Sequence, residues 1–418
     1  MSKHWKTTVG LFLTGQLFSL FGSLMVQYAI TWYITLTTQS GLMMTISILC
    51  GFIPAFILSP VAGVWADRFN RKRIIIIADG LIALVTLLTA ITFLLGYREI
   101  WLLFVVSIFR SFGSAVHSPA VSAVYPQIVP SEMLTRVQGI NSGIQSSMMI
   151  VAPIIALGLL SIWPLEWVFS IDVITAILAI ITLTYFVKLP KHANESSGQK
   201  VEYFKDIKMG LQYIKEHQFL IPFFIYTAFI LFMVAPVAFL TPLQVVRTYG
   251  SDLWRLSAIE IAFSVGMTLG GFGVGIIGGF KNRIVTMSFA MVMMGLSSAI
   301  LGLQIAFWLY LGVMGFIGLM LPFYNTPAIV MIQEKVEPSY LGRVLSVMSM
   351  ISTIAMPLGM IVFGPLADII DVEWILIGTG MMMVVFSITM SRNKRLLEAG
   401  VAKIVSTNSP INEYKDIT

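Results

Sequence analysis

Ionisable residues are rare in the apolar stretches of this chain, so each one is a candidate for chemistry. Arg110 lies inside an apolar stretch that begins near Ile100. Ten helical residues span roughly 15 Å, which places it near the centre of a bilayer. A charge at that depth costs at least about 2.5–3.5 kcal/mol, so Arg110 must face a wet cavity or a partner. At a helical turn of 100° per residue, Arg110, Ser114, His117 and Val121 share one face. Three acids also fall within or at the ends of apolar stretches: Asp79, Asp172 and Glu260. A carboxyl out of water favours its neutral form and can carry a proton, which makes Asp172 and Glu260 candidates for proton coupling. The polar residues Gln16, Ser19, Ser23, Gln27 and Thr31 form one stripe, which lines a cavity or joins helices. A second face carries Gln138, Asn141 and Gln145, and Tyr324-Asn325 interrupts a later apolar stretch. The candidate cavity set is therefore Arg110, His117, Gln27, Asn141, Gln145 and Asn325. Such a set binds and releases a solute. There is one cysteine, there are four histidines, and neither a phosphate-binding Gly-Lys-Ser/Thr loop nor a paired catalytic carboxylate is evident. The expectation is a protein with no enzymatic constellation, no metal site and no bound cofactor.

The elements that position these residues follow from composition. Of 418 residues, 57% are hydrophobic and 11% charged, and the mean hydropathy is +0.89. Soluble domains carry about 25% charged residues. The chain thus reads as a polytopic helical membrane protein, with the lipid bilayer as its solvent. A span needs about 20 mostly apolar residues, and twelve such stretches run between Val9 and Ser391. The domains expected are a six-helix bundle over residues 1–189, a cytoplasmic linker over 190–219, a second six-helix bundle over 220–391 and a cytoplasmic tail over 392–418. All lysines and arginines but Arg98, Arg110, Arg247 and Arg255 fall on one side of this arrangement. That bias predicts both termini and the linker on the cytoplasmic side. The net charge of +6 resides in these loops and is no nucleic-acid footprint. Cys50 reads as a small buried hydrophobe.

One stretch and one repeat refine the class. Gly63-Val-Trp-Ala-Asp67-Arg68-Phe-Asn70-Arg71-Lys72-Arg73 sits between the second and third apolar stretches. It resembles the signature loop of major facilitator superfamily transporters, with Gly63, Asp67, Arg68, Lys72 and Arg73 in place and Asn70 where a second Gly is usual. Asn tolerates the left-handed backbone that the turn is expected to need. Ser118-Pro119-Ala120 and Pro130-Ser131 recur as Thr326-Pro327-Ala328 and Pro338-Ser339, each offset by about half the chain, with Arg136 and Arg343 following. Gly275 to Arg283 is a worn copy of the signature loop, with Gly279 in the place of Asp67. Parallel repeats about an axis along the membrane normal account for this pattern.

The resemblance implies an all-α fold of twelve transmembrane helices in two pseudo-symmetric six-helix bundles. It implies a gate built from Gly63, Asp67, Arg68, Arg71, Lys72, Arg73 and Arg343, with Asp67 meeting the start of the eleventh helix. It also places the third and sixth helices at the periphery, which favours structural roles for Asp79 and Asp172. Arg110-Ser-Phe-Gly113 resembles the Arg-and-Gly motif of the fourth helix. The fifth stretch, with Gly139, Ala152, Pro153 and Ala156, retains part of the antiporter motif. Within the superfamily the likeness is to bacterial macrolide-efflux proteins and their relatives. The implied protein is a monomer of the bacterial cell membrane, exporting a hydrophobic drug-like molecule by proton antiport, with the proton gradient as its energy source. A siderophore or metabolite transporter on the same fold is the alternative, and a non-transporting sensor or scaffold the third reading.

Overall fold

The computed structural model describes residues 5–187 and 203–401, without the side chains of residues 60, 64, 67, 68, 135 and 203–208. Asp67 and Arg68 of the expected gate therefore lie outside the described side chains. The helices of the first half are α1 (Trp5–Thr38), α2 (Gly41–Arg68), α3 (Arg71–Leu94), α4 (Ile100–Ile128), α5 (Leu134–Leu160) and α6 (Leu165–Ile181). A π-turn over Thr182–Phe186 extends α6. The connection carries α7 (Tyr203–Glu216), an amphipathic helix in the expected linker. The second half comprises α8 (Leu220–Phe239), α9 (Thr241–Tyr249), α10 (Leu253–Ile277), α11 (Arg283–Leu301), α12 (Phe307–Lys335), α13 (Pro338–Leu366), α14 (Val372–Arg392) and the short α15 (Lys394–Gly400). Among the described residues twelve helical segments are long and apolar enough to cross a membrane, with α8 and α9 counted as one.

Helix ends are set by local chemistry. The side chains of Ser40, Asn70, Asn282 and Asn393 accept hydrogen bonds from the first turns of α2, α3, α11 and α15, satisfying donors that have no partner within the helix. The repeat seen in sequence is also a repeat in space. Pro119 lies inside α4 and Pro327 inside α12, the fourth span of each half. In the first half α1 packs on α5 and α6, and α4 on α2 and α3; in the second, α10 packs on α12, and α11 on α12 and α14. The halves meet where α2 lies against α13, α5 against α10 and α1 against α9.

Glycines allow the closest approaches. A Cβ on Gly266 would sit 1.8 Å from the Gly315 carbonyl oxygen, and one on Gly270 2.2 Å from that of Leu319. Small residues thus bring α10 and α12 into backbone contact.

Candidate functional site

The first half encloses a charge network near the middle of its helices. Arg110 of α4 is buried and donates from Nη1 to Asp172 Oδ2 of α6, in a short ion pair. The same nitrogen donates to Thr86 Oγ1 of α3 at 2.6 Å, and Nη2 donates to the Ser23 carbonyl oxygen of α1 at 3.1 Å. Thr86 also reaches Asp172 Oδ2, at 3.2 Å. Four helices therefore converge on one guanidinium. Two glycines make the room. A Cβ on Gly22 would stand 2.1 Å from Thr175 Oγ1 and 2.8 Å from Asp172 Oδ1, and one on Gly113 2.5 Å from Ile82. Of the two expectations for Arg110, a wet cavity or a partner, the structure presents a partner. Asp172, expected as a proton carrier, is that partner. A guanidinium stays charged at all accessible pH, so this acid has a fixed counter-ion.

A second acid lies on the preceding face. Asp79 of α3 is buried and accepts from Ser19 Oγ of α1 at 2.9 Å. His117 Nε2 of α4 stands 3.3 Å from the same oxygen, Oδ1. The two are close enough to pair, but the alignment is not that of a hydrogen bond, and His117 Nε2 is buried without a partner. Asp79 also lines a narrow crevice between α1 and α6, with Gln16, Leu183 and Val187.

The other expected cavity residues are dispersed. Asn141 of α5 accepts from Tyr125 Oη at 2.8 Å within the first half. Gln145 and Asn325 are exposed, and Gln27 is half-buried, 3.5 Å from where a Cβ on Gly51 would lie. Glu260 of α10 is half-buried and stands within electrostatic reach of Tyr28 of α1, in the other half.

The basic cluster is not a loop. Arg71, Lys72 and Arg73 form the first turn of α3, where cations oppose the helix dipole. Two of them compensate by reaching carbonyl groups at other helix ends. Arg71 Nε donates to the Ala66 oxygen at 3.1 Å and its Nη1 to the Ala123 oxygen at 3.0 Å. Lys72 Nζ donates to the Thr184 and Val187 oxygens at 2.9 and 2.8 Å. These bonds tie α2, α4 and α6 together. Arg73 is exposed, and Gly63 has open space around it. The left-handed backbone expected at Asn70 is absent: its φ is −63°, and its side chain caps α3. The residue is there for its oxygen. In the worn copy the left-handed positions are Gly278 and Gly279, at φ 69° and 77°. Arg343 of α13 is half-buried, with its guanidinium 5.5 Å above the Tyr340 ring. Tyr340 stacks on Tyr213 of α7 at 4.5 Å, and the Glu337 N–H donates to Tyr213 Oη at 3.2 Å. The start of α13 is thus held by the connecting helix.

At the opposite end of the bundle the halves are fastened together. Asp368, just past α13, accepts from Ser40 Oγ at 2.7 Å, the Gly41 N–H at 2.7 Å and the Leu42 N–H at 3.0 Å. It therefore caps α2 of the other half. Arg247 of α9 donates to Asp368 Oδ1 at 3.1 Å, to the Ala367 oxygen at 2.6 Å and to the Gln39 oxygen at 2.6 Å. Gln39 is a non-glycine residue at φ 46°, a strained conformation held by the Arg247 bonds to its carbonyl. Burial pushes the Asp368 carboxyl up, but the bonds from Leu42, Ser40, Gly41 and Arg247 outweigh it and hold the carboxyl below its usual value. A Cβ on Gly41 would lie 2.3 Å from the Gly364 oxygen, so α2 and α13 touch through backbone. The sequence reading overlooked this fastening. The available signal was Arg247, one of the few basic residues on its side of the chain, and an acid in the turn after the eleventh span.

Comparison with known proteins agrees with the architecture. The sequence model of the Major Facilitator Superfamily matches residues 9–360. Macrolide efflux protein A of Streptococcus pyogenes is 34% identical over 380 residues, covering 90% of this chain and 93% of that protein. The protein of the same description from Enterococcus faecalis is 34% identical over 326 residues, covering 77% of this chain and 99% of its own length. Among solved structures, a nucleoside transporter superposes with a TM-score of 0.68 at 15% identity, over 93% of this chain and 99% of that one.

Proposed function

Because the chain belongs to the major facilitator superfamily, we propose that it exports a hydrophobic, macrolide-like molecule across a bacterial cell membrane in exchange for protons. The observation that carries this reading is the 34% identity to Macrolide efflux protein A over nine-tenths of the chain. Two structural features support it. The halves are separate helical bodies that touch along α2–α13, α5–α10 and α1–α9, an arrangement that can rock about a central site. The helices of the two halves carry amides and aromatics, among them the exposed Gln145 and Asn325, and the half-buried Glu260 of α10 is within electrostatic reach of Tyr28 of α1. Such walls suit a large apolar solute bearing a few polar groups.

In this reading the Arg71 end is cytoplasmic, as the distribution of lysines and arginines implies. The Asp368 end is then outer and is shut in this conformation. Substrate enters from the cytoplasm, the fastening at Asp368 and Arg247 breaks, and the outer end opens. Proton binding favours one conformation over the other by its differential affinity for the two states. Asp172 is neutralised by Arg110, so the mobile proton falls to an acid without a fixed cation.

Macrolide susceptibility with and without expression tests the substrate class, with a siderophore-uptake assay as the contrasting arm. Export of labelled erythromycin from de-energised and re-energised cells tests the driving force. It should collapse with a protonophore and persist when ATP is depleted and the proton gradient is kept. Unchanged susceptibility at verified expression removes the macrolide reading. A cysteine at Gln212 should react only with membrane-permeant thiol reagents in intact cells and one at Tyr97 with impermeant reagents too; the reverse pattern inverts the orientation.

A further inference from the structure

Near the middle of the first half two acids, Asp79 and Asp172, lie beside two basic groups, Arg110 and His117, and one of these pairs is permanently neutral. Arg110 and Asp172 cancel each other. Asp79 places its carboxyl group in the buried interior with one hydrogen-bond donor among the described residues, Ser19. An uncompensated buried carboxylate is expensive. Among the described residues the group within ion-pair reach that can supply the missing positive charge is His117, with Nε2 3.3 Å from Oδ1. That nitrogen is buried and makes no hydrogen bond among the described residues. A buried imidazole nitrogen without a partner is itself unfavourable, and protonation would give it a hydrogen to donate to Asp79. Each group thus lacks what a proton would provide.

We propose that His117 and Asp79 form a proton-binding site, loaded and unloaded once per transport cycle. The inference rests on the proton-exchange reading above and names the residues that would serve it. The bookkeeping is simple. A neutral His117 takes one proton on its free ring nitrogen and becomes an imidazolium. The N–H donates to Asp79 Oδ1, the buried cluster goes from one net negative charge to none, and loss of the proton restores the start. The elements packed around the pair bring the following groups. From α2, which packs on α4, the described side chains include one titratable group, Cys50. From α1 come Ser19 and Gln16, which are uncharged. From α4 comes Arg110, which is fixed in charge. From α6 comes Asp172, held by Arg110. Lys72, on the α3 turn nearest the bundle end, is engaged by the Thr184 and Val187 carbonyls.

The surroundings of the two members differ. Asp79 borders the crevice between α1 and α6 that is lined by Gln16, Leu183 and Val187, near the Arg71 end of the bundle. His117 is 16% exposed at its side chain, and Ser114, one turn before it on the same helix, is exposed. Because α1, α3 and α4 all contribute, a change in charge acts on three helices at once.

The test uses the full chain in proteoliposomes, with labelled erythromycin as the probe and a pH-sensitive dye inside. The wild-type protein should accumulate erythromycin against its gradient when a pH difference is imposed, with proton movement in the opposite direction. His117→Gln and Asp79→Asn should lose accumulation and linked proton movement, yet still exchange labelled for unlabelled erythromycin, a step with no net proton transfer. Asp79→Glu should restore part of the accumulation. Full proton-linked accumulation in either His117→Gln or Asp79→Asn overturns the assignment. Erythromycin movement by the wild type with no proton movement refutes the proton-exchange reading itself, and the assignment with it. A second measurement needs no transported substrate. Infrared difference spectra of the lipid-embedded protein between acid and alkaline pH should contain an imidazole titration that is absent from His117→Gln and displaced in Asp79→Asn. A His117 ring that does not titrate in that window also overturns the assignment.

Discussion

Replacing Asp368 with asparagine should open the Asp368 end without unfolding the protein. The carboxylate holds the first turn of α2 through Ser40, Gly41 and Leu42 and meets Arg247, all across the boundary between the halves or beside it. A charge at a helix N-terminus is worth about 0.3–2 kcal/mol, and Asp368, though exposed, accepts three bonds there, from Ser40, Gly41 and Leu42. Asparagine keeps one acceptor oxygen but loses the charge, so the closed state should lose about 1–2 kcal/mol, a shift of about 5–30-fold in the closed-to-open ratio. The assay is a distance distribution between spin labels at Thr37 and Ile369, both exposed, with Cys50 replaced by alanine. The long-distance population should grow in Asp368→Asn and remain at the wild-type level in Asp371→Asn. The pH dependence has a definite sign. The closed-state carboxyl lies below its usual value, so its contribution is complete above the ordinary carboxylate range, near about pH 4, and fades as pH falls through the depressed value. Closure by this contact should therefore be flat between about pH 8 and pH 5. An unchanged distance distribution in Asp368→Asn, or closure that weakens already near neutral pH, would refute the reasoning.

Three further outcomes are expected. Arg110→Ala should destabilise the protein by about 3–5 kcal/mol, because it strands a buried Asp172, and the double change Arg110→Met with Asp172→Leu should recover much of that loss in chemical unfolding. Gly270→Val should lower the melting temperature of the purified protein sharply, since even a Cβ meets the Leu319 oxygen at 2.2 Å, while Gly271→Ala, with open space, should leave it near wild type. Gln39→Gly should act opposite to Asp368→Asn in the spin-label assay, because relieving a left-handed non-glycine residue recovers about 1 kcal/mol in the closed state.

The fold was legible because the bilayer imposes it. Every backbone polar group must be satisfied within a span, so length and apolarity alone locate helices, and Pro119 and Pro327 mark the same place in both halves. The arginine in the fourth span was legible as an anomaly, since a central charge is costly wherever it points. Its partner was not. Asp172 lies 62 residues away, and pairing across helices depends on rotation about each axis, which periodicity constrains only relative to the same helix. Asn70 failed for a different reason. Its residue type suits both a left-handed turn and a helix N-cap, and only the position of the helix start separates the two. With α3 beginning at Arg71, the cap is the answer.

Charge in this protein is sorted by whether protons can alter it. Asp368 is held as a carboxylate by backbone N–H groups and Arg247, which does not suit a carrier that must gain and lose a proton near neutral pH, and Asp172 is paired with Arg110. The fastening between the halves is therefore a poor place for protons to act, and a proton effect on closure must arrive through packing. α1 provides the path. It donates from Ser19 to Asp79, offers the Ser23 carbonyl to Arg110, and ends beside Gln39, whose carbonyl holds Arg247. Ser19 and Gln39 are roughly 30 Å apart at 1.5 Å per residue. A helix of that length moves largely as a body, so a tilt set by the charge on Asp79 and His117 would be felt at Gln39. There the backbone is already strained, and a small displacement is enough to loosen the Arg247 bonds.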